Sequence, residues 1–100
     1  MVARSLSEAE KMRRVPGIVY VDGPVGRRAH VEGTGLDVFE IIKVYQCVAG
    51  DTAKLAAVYD WLTPAQLQVA IEFYRLFPAE IDERLERECR VWQKRFGASA

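Results

Sequence analysis

Few side chains in this sequence are of a type and spacing that could do chemistry. His30 is the single histidine, and no Ser or Cys stands near it in the chain with an orienting carboxylate, as nucleophilic catalysis needs. Cys47 and Cys89 are isolated, neither belongs to a CxxC, and one histidine does not complete a zinc set with them. Both thiols are expected to be buried inside helices. No paired carboxylates, nucleophile–base set or metal spacing emerges. A non-enzymatic protein without metal or cofactor is expected, acting by binding.

The binding chemistry is more concrete. Gly26-Arg27-Arg28-Ala29-His30 sets two or three potential cations beside a glycine turn, where they could reach phosphates or a narrow minor groove. Gln68 and Arg75 fall on the outward face of a predicted helix, with Gln66 near its start. Gln pairs bidentately with adenine and Arg with guanine, so Arg27, Arg28, His30, Gln66, Gln68 and Arg75 form the candidate DNA-contacting set. Glu72 on the same helix would repel phosphate. A second set, Ile81, Leu85, Trp92 and Phe96, makes a narrow apolar stripe on the last helix, suited to groove docking on another chain.

Charge distribution separates these sets. The formal net charge is zero, which argues against a polybasic binder. Residues 1–31 carry six bases and three acids, whereas residues 32–78 carry three bases and six acids. Phosphate contact is therefore expected mainly from the first third.

The elements that must position these residues are legible from caps and breaks. Ser7 with Glu10 fits a capping box and predicts a short helix to about Arg14, stopped by Pro16-Gly17. Ile18 to Val21 reads as a strand, residues 22–26 as a turn, and Arg27 to Glu32 as the returning strand. Gly33-Thr34-Gly35 is too short for a phosphate-binding fingerprint and reads as a bend into a helix. That helix is N-capped by Asp37 with Glu40, runs over 38–48 and ends with Gly50 at C′. Phe39 and Val44 lie off its main stripe, as do Val69, Phe73 and Leu76 on the helix starting at Thr63, leaving an apolar surplus for an oligomer interface.

Thr63, Pro64 and Gln66 mark that helix start, with Leu62 and Leu67 as a hydrophobic staple. Helices at about 51–60 and 64–77, separated by a three-residue turn, have helix-turn-helix spacing. A last helix spans 79–96. One domain over residues 1–100 follows, with an N-terminal helical extension (1–15) and a C-terminal amphipathic helix (79–96). Its class is mainly α with a β-hairpin, the hairpin preceding a three- to four-helix unit as a wing. No apolar run approaches the roughly 20 residues of a membrane span, and the first 14 residues lack a secretory core, so a cytoplasmic protein without a membrane partner is expected.

The middle of the chain also resembles a known family. Residues 26–42 (GRRAHVEGTGLDVFEII) resemble the GKPxIxGTRIxVxxI signature of the bacterial domain of unknown function 433. Residues 49–59 (AGDTAKLAAVY) resemble its GxSxExIxxxYP segment, residues 62–74 (LTPAQLQVAIEFY) its LTxExVxAALxYY helix, and residues 78–82 (PAEID) its usual trailer. The resemblance covers about residues 16–86. Departures mark a divergent branch: Gly35 and Asp37 stand where the family has Arg and Pro, and Ala29 replaces a Pro. What the resemblance implies is a winged helix-turn-helix and an antitoxin-like function, binding DNA, a PIN-like ribonuclease toxin, or both, as a homo-oligomer. The alternative is a dimerisation or protein-interaction module of the same fold that does not bind DNA.

Overall fold

The computed structural model describes residues 6–23 and 26–96, with side chains described to residue 89. Five helices and three strands follow in the order α1 (Glu8–Arg14), β1 (Ile18–Gly23), β2 (Gly26–Val31), β3 (Leu36–Asp37), α2 (Val38–Cys47), α3 (Thr52–Val58), α4 (Pro64–Leu76) and α5 (Pro78–Phe96). The domain is mainly helical, with one antiparallel sheet in the order β1-β2-β3.

The helix starts are those their caps dictate. Ser7 Oγ accepts from Glu10 N–H at 3.2 Å, and Glu10 Oε1 accepts from Ser7 N–H at 2.9 Å. Thr63 and Gln66 make the same reciprocal pair at 3.1 and 2.9 Å. The staple residues Leu62 and Leu67 are both buried. Pro78 is the first residue of α5, one earlier than expected, because a first-turn position has no use for the N–H that proline lacks.

The end of α2 shifts by one residue. Gly50 N–H donates to Tyr45 C=O at 2.9 Å and Ala49 N–H to Gln46 C=O at 3.0 Å, the two bonds of a Schellman motif. Ala49 at φ 54° therefore holds C′, and Gly50 is the residue after it.

The bend at Gly33-Thr34-Gly35 hides a third strand. After the turn, Leu36 and Asp37 pair with Val31 and His30 of β2. Two residues are too few for alternation to announce a strand, and both are also the approach to a helix. This pairing brings Asp37 opposite His30.

Helix α2 is the centre of the core. Val38, Phe39, Ile41 and Ile42 are buried, and the helix is flanked by α3, α4, α5, β2 and β3. A helix covered on several sides is apolar around most of its girth, so Phe39 is core and not surplus. Phe73 is also fully buried, and Val44, Val69 and Leu76 pack half-buried on the same core. The interface expected from these five residues is consumed within the domain. The turn at Gly17 (φ 104°) lies against α4; a Cβ there would meet Val69 Cγ2 at 3.0 Å. Cys47 and Cys89 are exposed, contrary to expectation. Cys47 lies on the side of α2 opposite Val38, whereas Cys89 continues the Ile81 and Leu85 stripe of α5 and is exposed all the same.

The helix-turn-helix spacing is looser than the sequence implies. Residues 59–63 separate α3 from α4, five instead of three. Helix α3 buries only Leu55 and rests on α2, while α4 packs on α2, α5 and the hairpin.

Candidate functional site

The buried carboxylate of Asp37 is the most unusual polar group among the described residues. It is 1% exposed and is the one buried charged residue in or beside the core. Alternation along β2 puts Arg28 and His30 on one side of the strand. The β2–β3 register places His30 across from Asp37, and Arg28 two residues before it. Arg28 Nε lies 2.9 Å from Asp37 Oδ2, His30 Nε2 is in contact with Oδ1, and Arg84 Nη2 from α5 stands 3.9 Å from Oδ2. The Arg84 guanidinium also lies over the Phe39 ring, 4.6 Å from its centroid.

Asp37 is the N-cap of α2 and forms a capping-box arrangement with Glu40. Its own N–H donates to Glu40 Oε1 at 3.3 Å. The carboxylate oxygens, Arg28 Nε and His30 Nε2 are all buried, and their mutual contacts lack hydrogen-bond alignment. A buried charge needs a countercharge to repay its lost hydration. Here one anion serves two guanidiniums and an imidazole.

A cleft of about 330 Å³ opens above this cluster, between α1, the hairpin, the start of α2 and the first turns of α5. At its other end Lys11 Nζ donates to Glu80 Oε1 at 2.6 Å, and the Tyr20 hydroxyl donates to the same carboxylate, 2.9 Å from both oxygens. Burial raises the Tyr20 hydroxyl well above the ordinary tyrosine range, and the Glu80 charge and hydrogen bond add to the rise. The folded state thus holds this proton more tightly than the unfolded chain. Its stabilising contribution is complete below the ordinary tyrosine value of 10.0 and declines as pH rises beyond it. Tyr20→Phe should flatten the alkaline arm of stability measured by denaturant titration between pH 9 and 11 (roughly the window set by the reference tyrosine value).

The six residues expected to touch DNA are dispersed by the fold. Arg27 at the hairpin is exposed but pairs with Glu8 at 2.8 Å and Asp22 at 3.2 Å. Its hydrogen bond also holds the Glu8 carboxyl below the usual range. Arg28 and His30 turn inward to Asp37. Gln66 is spent on the capping box, and Arg75 is paired with Glu72 at 2.6 Å. Only Gln68 is exposed with no side-chain partner among the described residues.

Of the four residues expected on a partner-binding stripe, Ile81 is buried in the domain's own core and Leu85 packs against it. The side chains of Trp92 and Phe96 lie outside the described residues. Sequence reading missed Asp37 as a charge centre, together with Arg84, Tyr20, Lys11, Glu80 and Trp61. The Arg28-x-His30 spacing on a strand was the available signal for the first of these.

No family model, curated protein or solved structure matches the chain. Among the described residues, no group of three or more His, Cys, Asp or Glu is placed to hold a metal ion, and no helix is long and apolar enough to cross a membrane.

Proposed function

We propose that this domain is an antitoxin-like, winged helix-turn-helix-like binding protein whose main contact is with another protein. The observation that carries this reading is the apolar patch where α3 runs into its loop: Val58 is 53% and Trp61 60% exposed, the large hydrophobic residues that, among the described ones, the fold leaves in water. Around it Ala53, Ala56 and Ala57 are exposed, and Asp51, Lys54 and Asp60 are the exposed charges at its edge. An exposed aromatic residue in an apolar patch with a polar rim is what interface centres are made of. The resemblance to the antitoxin-like family supplies the class of partner, a PIN-like toxin.

The test is co-purification with the product of the adjacent reading frame. Trp61→Ala should abolish capture, on the order of a hundredfold weaker binding for a central aromatic anchor. The thermal midpoint should change little, since Trp61 packs only edge-on against Tyr59. Capture unaffected by Trp61→Ala would remove the reading. A doubled mass of the isolated chain, lost with the same substitution, would make a second copy the occupant instead.

DNA binding is the second reading, favoured by the exposed Arg27 and Gln68. It requires Arg27 to exchange Glu8 and Asp22 for phosphate. A gel-shift assay with upstream DNA and Arg27→Ala, run at two salt concentrations, decides it; no shift at micromolar protein rejects it.

A further inference from the structure

The charges of the cleft do not cancel locally, and the imbalance points to a ligand. Three of its lining cations have carboxylates of their own: Lys11 has Glu80, Arg27 has Glu8, and Arg87 has Glu83 at 3.0 Å. Arg28 and Arg84 share Asp37 alone. Two permanent cations against one anion leave a positive surplus, and it is confined to the inner end of the cleft. These side chains are only 25% and 16% exposed, so water screens the surplus weakly.

Their donors are also largely uncommitted. Arg28 turns Nε to Asp37, and Arg84 stands at 3.9 Å, beyond hydrogen-bond reach, while its plane is fixed over Phe39. A guanidinium carries five N–H donors, and neither residue has a further partner among the described ones. Phe39, Ala29, Ile81 and Leu6 supply an apolar wall beside them.

We infer that this cleft is a binding site for a small organic anion, one carboxylate or phosphate on a compact apolar body, held by Arg28 and Arg84 with the body against Phe39. A volume of about 330 Å³ is at the small end of ligand pockets and fits a molecule the size of an aromatic acid. Glu8, Glu80 and Glu83 in the cleft wall would repel a polyanion, which favours a single oxyanion over a nucleic-acid backbone. The inference goes beyond the partner-binding reading and does not rest on it.

Benzoate and phenyl phosphate are the probes, with benzamide as the uncharged control. Each is titrated into the 15N-labelled chain while the arginine Nε–H resonances are followed. A saturable shift of the Arg28 and Arg84 signals by either anion, with none from benzamide, is the expected result, and the tighter of the two anions identifies the oxyanion. Arg84→Gln should weaken binding about tenfold or more, the effect of one lost charge-assisted contact. Lys54→Gln, on α3 and outside the cleft lining, should leave it unchanged. The wild-type titration stands even if Arg84→Gln does not fold. A response linear in concentration, one shared by benzamide, or one retained in folded Arg84→Gln overturns the inference.

Discussion

Asp37→Ala should cost about 3–5 kcal/mol, the usual penalty for removing one partner of a buried ion pair. The larger part of the loss does not come from the helix N-cap, which is worth about 1 kcal/mol. It comes from stranding Arg28, His30 and Arg84 around a site where the anion was 1% exposed. Small domains hold only about 5–15 kcal/mol in all, so much of the population would unfold at modest temperature. A cycle separates this cause from simple loss of packing. Adding Arg28→Met to Asp37→Ala should recover a large part of the stability, because an apolar replacement of a buried pair is often neutral. Urea midpoints for the two single variants and the double variant supply the measurement. Strict additivity would mean that the charges are not coupled.

Phe73→Ala should be comparably damaging, at about 3–5 kcal/mol, for an unrelated reason. Phe73 is fully buried on α4 and its ring lies 5.3 Å from that of Phe77. Removing it opens a void between α4 and α2, the two helices that carry half of the buried core. At about 4–8 °C per kcal/mol for a domain this size, the thermal midpoint should fall by more than ten degrees. A fall of only a few degrees would show that the neighbouring side chains can collapse into the space.

Elements governed by local chemistry were legible in the sequence. The Ser7 and Thr63 capping boxes, the staple of Leu62 and Leu67, and the hairpin from Ile18 all depend on residues a few positions apart. What escaped depends on residues distant in the chain. Phe39 and Phe73 look like surface surplus until α2 is known to be covered by helices and sheet together. His30 looks isolated until a two-residue strand folds Asp37 back across it. Arg84 comes from more than forty positions beyond Asp37, and periodicity says nothing of which cations an inward carboxylate will gather. The candidate DNA-contacting side chains illustrate the same limit. Counting charge along the chain identifies a basic first third, but not that Glu8 and Asp37 have already claimed Arg27 and Arg28.

Helix α1 buries none of its residues. It is held by its capping box, by Lys11 on Glu80, by Glu8 on Arg27 and by the half-buried Met12. One wall of the cleft is therefore a separate, low-stability cooperative unit, while the floor at Asp37 belongs to the globally protected core. Exchange between cleft and solvent needs only that unit to come away, at a free energy well below global unfolding. Any molecule that bridges wall and floor would in turn slow that opening, so occupancy would be written into the kinetics of the N-terminal helix.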